Sequence, residues 1–182
     1  MPSWAPQVRL ARLMQRLLLI LTALGVLAAP AVAAAPTQTV DVPARLADQI
    51  ATAKDRSRVP VRLPARMTVE QGDLFPSGSA RRNGWAMGLD AAPDCGGANA
   101  CFVAAFTGER GGRPFGQKRV RLRGGRRGYF TPLSCGASCA PPQIQWKMGS
   151  TLYTIQARVG TKSTERRMLI RMANSAILHG PR

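Results

Sequence analysis

The chain has 182 residues, with 26 lysines and arginines against 9 aspartates and glutamates, a formal charge of +17. Its length is that of a single domain, and its apolar content of 45% is too high for a wholly disordered chain. Aromatic residues make up only 5%, so a core must depend on Val, Leu, Ile, Met and Ala. All but four of the basic residues are arginines, a bias that a GC-rich genome produces as readily as a function does.

The first 35 residues have the layout of a secretory signal peptide. Three arginines and no acid precede an apolar run over 17–29, and small residues at Ala33–Ala35 follow it. An uncleaved membrane anchor is the alternative, but the run is short for a span. No cysteine lies directly after the run, which excludes lipid attachment at a new N-terminal cysteine. We predict cleavage near Ala33–Ala35, a periplasmic or secreted location, and a mature single domain over 36–182 with a formal charge of +14.

The first predicted element of this domain is a helix. Residues 36–40 are polar and are typical of a short tether. Asp41 and Pro43 are an N-cap and a first-turn proline, and they begin an amphipathic helix over 42–56. Leu46, Ile50 and Ala53 lie on one face of this helix, which we expect to cover a sheet.

A series of strands is predicted next. The prolines of 59–64 force an extended run, at best an edge strand, and 68–83 is interpreted mainly as loop. Alternation and apolar content predict strands at 84–90, 101–107, 118–123, 128–131, 143–148 and 152–159. Gly124-Gly125 and Gly149-Ser150 are turn signals between two pairs of them, and 108–114 is interpreted as a mobile loop.

A second amphipathic helix is predicted over 164–178, with Ser163 or Thr164 as its cap and Gly180-Pro181 as its end. Strands joined by short turns leave no room for helical crossovers, so the sheet should be mainly antiparallel. The predicted fold class is therefore α+β: a mainly antiparallel sheet, flanked by an N-terminal and a C-terminal amphipathic helix.

All four cysteines lie in two local pairs within 95–139. In an oxidising compartment an even cysteine count indicates disulfides, and four cysteines allow three pairings. We favour Cys95–Cys101 and Cys135–Cys139, because turn-forming residues separate the members of each pair. A four-thiolate metal site is the alternative, but both spacings are looser than the usual zinc knuckle. We expect no metal and no cofactor.

Several stretches together resemble a group of uncharacterised secreted bacterial proteins that carry two short Cys pairs. The stretches are Val59-Pro-Val-Arg-Leu-Pro64, Asp94-Cys-Gly-Gly-Ala-Asn-Ala-Cys101, Gly128-Tyr-Phe-Thr-Pro-Leu-Ser-Cys135-Gly-Ala-Ser-Cys139 and Ile144-Gln-Trp with Tyr153-Thr-Ile. The resemblance covers most of 42–178. It implies one folded extracytoplasmic domain and no particular activity.

Catalytic signals are weak. His179, the only histidine, lies near the C-terminus, and neither a G-x-S-x-G elbow nor a C-x-x-C motif is present. Asp90, Asp94 and Glu109 flank the first cysteine loop and could supply a carboxylate pair for acid–base hydrolysis, although each also fits a structural place. Whether the chain is an enzyme stays open, and the residues favour a binding protein.

An arginine-rich hairpin is the best functional signal. Its basic residues are Lys118, Arg119, Arg121, Arg123, Arg126 and Arg127. Arg119, Arg121 and Arg123 alternate with apolar residues, so we expect them to project from one side of a strand and to attract anions. The alternative is a solvated face that protects the sheet edge.

We predict an extracytoplasmic binding domain whose partner is an anionic envelope component (lipid head group, lipopolysaccharide or acidic polymer) or an acidic protein. Nucleic acid is disfavoured, since few aromatic residues accompany the cluster. The alternatives are a cell-envelope hydrolase that uses a carboxylate pair and a secreted enzyme inhibitor.

Overall fold

A seven-stranded antiparallel sheet forms the centre of the protein in a computed structural model that describes residues 35–96 and 98–182. Its strands are β3 Phe75–Arg81, β4 Gly84–Asp90, β5 Phe102–Arg110, β6 Lys118–Arg121, β7 Arg127–Thr131, β10 Gln143–Met148 and β11 Thr151–Ala157. Their order across the sheet is β3-β4-β5-β11-β10-β7-β6. Two further antiparallel ribbons pair β1 Thr37–Asp41 with β2 Arg66–Glu70, and β8 Ser134–Cys135 with β9 Cys139–Ala140. The α+β class and the mainly antiparallel sheet are confirmed. The predicted signal peptide, apart from Ala35, lies outside the described residues.

Three helices accompany the sheet: α1 Val42–Arg45, α2 Ala47–Arg56 and α3 Glu165–Leu178. The side chain of Asp41 accepts a hydrogen bond from the Ala44 N–H at 3.0 Å, which confirms the predicted cap. The predicted helix over 42–56 is interrupted at Leu46, whose φ of −107° and ψ of 21° leave the helical range. Thr164 precedes α3 but makes no side-chain cap, because its hydroxyl accepts from the Thr161 N–H instead. None of the helices in the described part of the chain is long and apolar enough to cross a membrane.

One face of the sheet forms the core. Alternate side chains of β4, β5, β10 and β11 are buried there, among them Leu89, Phe106, Trp146 and Ile155. Trp85 Nε1 and the Tyr153 hydroxyl both donate to the Pro60 carbonyl, at 3.3 and 3.1 Å. These bonds tie the extended segment 59–64 to the sheet.

Two sequence-based predictions along the first half of the chain are wrong. Residues 36–40 are not a tether, because they form β1 and pair with β2. The loop interpretation of 68–83 fails, because much of this stretch belongs to β2 and β3. Residues 59–64, for which the prolines allow an edge strand at most, form no strand, and their apolar side chains fill the core: Val59, Val61 and Leu63 are 0–2% exposed.

Both favoured disulfides are present. Cys95–Cys101 closes the turn between β4 and β5, and Cys135–Cys139 closes the β8–β9 ribbon. The four-thiolate alternative is therefore not formed, because each sulfur is bonded to its partner. Two disulfides fit a chain that folds in an oxidising, extracytoplasmic compartment.

The second face of the sheet is here called the open face, and it carries the residues that alternate with the core. Residues 111–117, the crossing segment, run over it from β5 in the middle of the sheet to β6 at the edge. The loop interpretation of 108–114 is wrong in part, since β5 continues to Arg110. Gly112 lies so close to Leu152 on β11 that a Cβ at 112 would be 2.9 Å from the leucine Cβ.

Candidate anion-binding site

Charge is divided between the two halves of the sheet. Residues 35–109 contain eight basic and eight acidic residues, whereas residues 110–182 contain fifteen basic residues and one acid, Glu165. The neutral stretch supplies β3, β4 and β5, and the basic stretch supplies β11, β10, β7 and β6. Within the sheet itself, β3, β4 and β5 carry two basic and two acidic residues, whereas β11, β10, β7 and β6 carry five basic residues and no acid.

Part of this charge is gathered on the open face. Arg119 on β6 pairs with Tyr129 on β7, and Arg121 pairs with Arg127. Residues that pair across antiparallel strands share a face. On β10, Trp146 is buried on the core side, so Lys147 lies on the open side, next in register to Arg127. Arg119, Arg121, Arg127 and Lys147 are all exposed.

The six residues of the predicted site do not all lie together. Arg119, Arg121 and Arg127 share the open face, whereas Lys118 pairs with Phe130 and so lies on the other side. The expectation that Arg123 continues the row is wrong, because β6 ends at Arg121 and a 3₁₀ turn follows. The Arg123 N–H donates to Asn174 Oδ1 of α3 at 2.7 Å, which holds this turn against the helix.

Arg126 also departs from the row. Its guanidinium folds back over the turn, where Nη1 lies 3.4 Å from the Arg123 carbonyl oxygen. Gly124 adopts a φ of +67° in this turn, a conformation that favours glycine. The Arg126 side chain therefore packs over the backbone of this turn.

The crossing segment adds two residues to the site. Arg113 is exposed, and Phe115 is 70% exposed, one of two large apolar side chains that stand out in the described residues. The Phe115 N–H donates to Oε1 of Gln145 at 3.0 Å. Gln145 lies on the open side of β10 yet is only 1% exposed, and its Nε2 donates to Thr154 Oγ1. A buried amide thus fixes the backbone of the segment that presents Phe115.

We name Arg113, Arg119, Arg121, Arg127 and Lys147 the basic cluster; four of them lie on the open face of the strands that the crossing segment passes over, and Arg113 precedes Phe115 on that segment. Sequence reasoning missed Lys147, Arg113 and Phe115 as parts of the site. The outward position of Lys147 follows from the alternation of Ile144, Trp146 and Met148, but its proximity to Arg127 depends on β10 pairing with β7. No local pattern in the sequence specifies that pairing.

The basic cluster has no acidic partner among the residues that the structure describes. The one ion pair found there joins Arg81 Nη2 and Glu109 Oε1 at 3.5 Å, on the neutral half of the sheet. Five cations that lie together without counter-charges raise the local potential and attract anions. Guanidinium groups in addition match phosphate and carboxylate oxygens in pairs.

Asp90 and Glu109 lie too far apart to act as a catalytic pair. Asp90 is at one end of β4, and Glu109 pairs with Gly84 at the other end. These two positions are six residue steps apart along the strand, about 20 Å, against roughly 5–9.5 Å between the carboxylates of glycoside hydrolases. Asp94 is exposed in the turn after β4.

The surroundings of Asp90 act on its pKa in two opposite directions. Partial burial raises the pKa of this carboxyl, and the Ser77 hydroxyl, 3.4 Å from Oδ2, opposes the shift. His179 is exposed just after the end of α3, and it is distant from these acids in the sequence. Among the residues that the structure describes, no group of three or more potential ligands could hold a metal ion.

A separate groove of about 620 Å³ lies between the β1–β2 ribbon, the start of α3 and the second disulfide. Glu165 lines this groove and is 4% exposed. Its Oε1 accepts a hydrogen bond from the Leu133 N–H at 3.2 Å. Glu165 therefore joins α3 to the segment that follows β7.

No known protein family matches the chain, and comparisons with curated proteins and with solved structures also give no match.

Proposed function

We propose that this protein is an extracytoplasmic binding domain that contacts anionic components of the cell envelope through the basic cluster. The observation that carries the proposal is the division of charge across the sheet. The strands of one half carry no net charge, whereas those of the other half carry five cations and no acid, so the side of the sheet that ends at β6 is basic. An arginine bias of genomic origin accounts for cations in both stretches, but not for the presence of only one acid among residues 110–182, against eight among 35–109.

The compartment selects the class of partner. Two disulfides and the predicted signal peptide support a location outside the cytoplasm, and we propose the periplasm. The abundant anions there are lipid head groups, lipopolysaccharide phosphates and acidic polymers. Guanidinium groups bind such phosphates through paired hydrogen bonds.

Cosedimentation across a salt series tests the proposal. The oxidised mature chain is mixed with phosphatidylglycerol vesicles, phosphatidylcholine vesicles or lipopolysaccharide, and its binding to soluble polyphosphate, which does not sediment, is measured by calorimetric titration over the same salt series. We expect binding to the three anionic samples that weakens as salt screens the charges, and none to phosphatidylcholine.

The decisive variant changes Arg119, Arg121 and Arg127 to Gln. Each basic residue near an anionic surface contributes about 1 kcal/mol, so this triple change should weaken binding at low salt by two orders of magnitude or more.

A matched control changes three exposed arginines of the neutral half to Gln, at Arg45, Arg56 and Arg82. Both variants lose three positive charges, so they differ only in where the charges are lost. The control should bind nearly as the parent protein does. Equal loss in the two variants would show that net charge, and not the basic cluster, governs binding.

A further inference from the structure

We infer that the open face binds a lipid bilayer with anionic head groups, and that Phe115 inserts between the lipids while the basic cluster holds their phosphates. This inference rests on the proposed function and narrows its partner from anionic envelope components to a membrane surface. It concerns the side chain of Phe115, which the charge-based argument for the proposed function does not use.

Phe115 is unusual because its side chain is exposed while the backbone that carries it is held in place. It is 70% exposed, although burial of a phenylalanine side chain stabilises a protein substantially. The segment that carries it is held on both sides. The Phe115 N–H is bound by the 1% exposed Gln145, and a Cβ on Gly116 would lie 2.7 Å from backbone and side-chain atoms of Tyr129. The phenylalanine is thus presented on a fixed backbone.

The surroundings of Phe115 are those of an interfacial anchor. Arg113 precedes it by two residues, and the other cluster members project from the strands beneath the crossing segment. Amphipathic surfaces that bind membranes combine basic residues with an apolar side chain that enters the boundary between head groups and acyl chains. A soluble polyanion offers phosphates or carboxylates but no hydrocarbon in which Phe115 could be buried. Phe115 therefore favours a lipid surface over a polymer.

Phe115→Ser separates the two contributions. The variant keeps all five cations, so it should bind soluble polyphosphate as the parent protein does. On phosphatidylglycerol vesicles it should bind about ten-fold more weakly, because the apolar contribution is lost. The dependence of log K on salt should stay that of the parent protein, since the same five cations make the charge contacts.

Phe115→Trp places a reporter at the same position. The tryptophans of the domain, Trp85 and Trp146, are 4% and 0% exposed, so an indole at 115 would dominate any change at the surface. Its emission should move to shorter wavelength with phosphatidylglycerol vesicles and stay unchanged with polyphosphate.

Gln145→Leu removes the acceptor of the Phe115 N–H and tests whether this hydrogen bond holds the backbone that presents Phe115. It should weaken vesicle binding and leave polyphosphate binding intact.

The outcomes distinguish this inference from the proposed function. Selective loss of vesicle binding in Phe115→Ser, with a shifted emission in Phe115→Trp, supports insertion. Equal binding of Phe115→Ser and the parent protein to vesicles overturns insertion while the charge-based function stands. Failure of the parent protein to bind any anionic sample overturns both.

Discussion

The position of the crossing segment can be tested at Gly116, which lies against β7. A Cβ at this position would meet the Tyr129 carbonyl carbon and Cβ at 2.7 Å and the carbonyl oxygen at 2.8 Å. Contacts below 3.0 Å to backbone atoms require a shift, and the backbone of Gly116 itself lies outside the left-handed region. Gly116→Ala therefore tests close packing without adding backbone strain.

Overpacking of this kind costs about 1–3 kcal/mol. For a domain of this size, about 2 kcal/mol corresponds to a fall of roughly 4–8 °C in the melting temperature. Thermal and urea unfolding of the mature oxidised protein would measure the change. We also expect Gly116→Ala to weaken vesicle binding, because displacement of the segment moves Phe115.

Gly136→Ala is the matched control, since no atom lies within 4 Å of a Cβ at that position and its φ is not positive. The control should unfold within about 0.5 kcal/mol of the parent protein. If Gly116→Ala behaved in the same way, the segment would not lie against Tyr129, and the proposed presentation of Phe115 would lose its basis.

Three further changes test other contacts. Glu165→Ala should cost about 1–3 kcal/mol in urea unfolding, because the Leu133 N–H loses its acceptor, while Glu165→Gln retains an acceptor and should cost less; equal costs would contradict this role. Burial raises the pKa of Tyr153 above its ordinary 10.0, so its contribution to stability is complete below about pH 10 and falls as the pH rises through the folded pKa; Tyr153→Phe should remove this alkaline fall, and an unchanged pH profile would refute the assignment. Replacement of both Cys95 and Cys101 by Ser should lower the free energy of unfolding by about 2 kcal/mol on the chain-entropy model, and a change below about 0.5 kcal/mol would contradict it.

The sequence predicts best those elements whose pattern is local. The β10–β11 hairpin follows from alternation on both sides of Gly149-Ser150, and α3 follows from helical spacing. Both cysteine pairs are close in sequence, so the residues between them already favour the disulfides that form.

The elements that the sequence misses depend on distant partners. The sequence of β3, Phe-Pro-Ser-Gly-Ser-Ala-Arg, has no apolar alternation. This segment lies at the edge of the sheet, and it is a strand because it pairs with β4. Part of the basic site is missed for the same reason. Arg119 and Arg127 are found by their local hairpin, but Lys147 joins them only through the order of strands, and Phe115 only through the path of the crossing segment.

The division of charge across the sheet has a consequence for kinetics. If the protein binds an anionic surface as we propose, the five cations on the strands that end at β6, against no net charge on β3, β4 and β5, would let the field of that surface rotate the molecule before contact, with β6 leading. Encounter would then be fast and would slow steeply as ionic strength rises. The lifetime of the complex would be set by the short-range contacts of Phe115, which salt hardly screens. Arginine and phenylalanine variants should therefore separate in a time-resolved measurement, the former mainly in the association rate and the latter mainly in the dissociation rate.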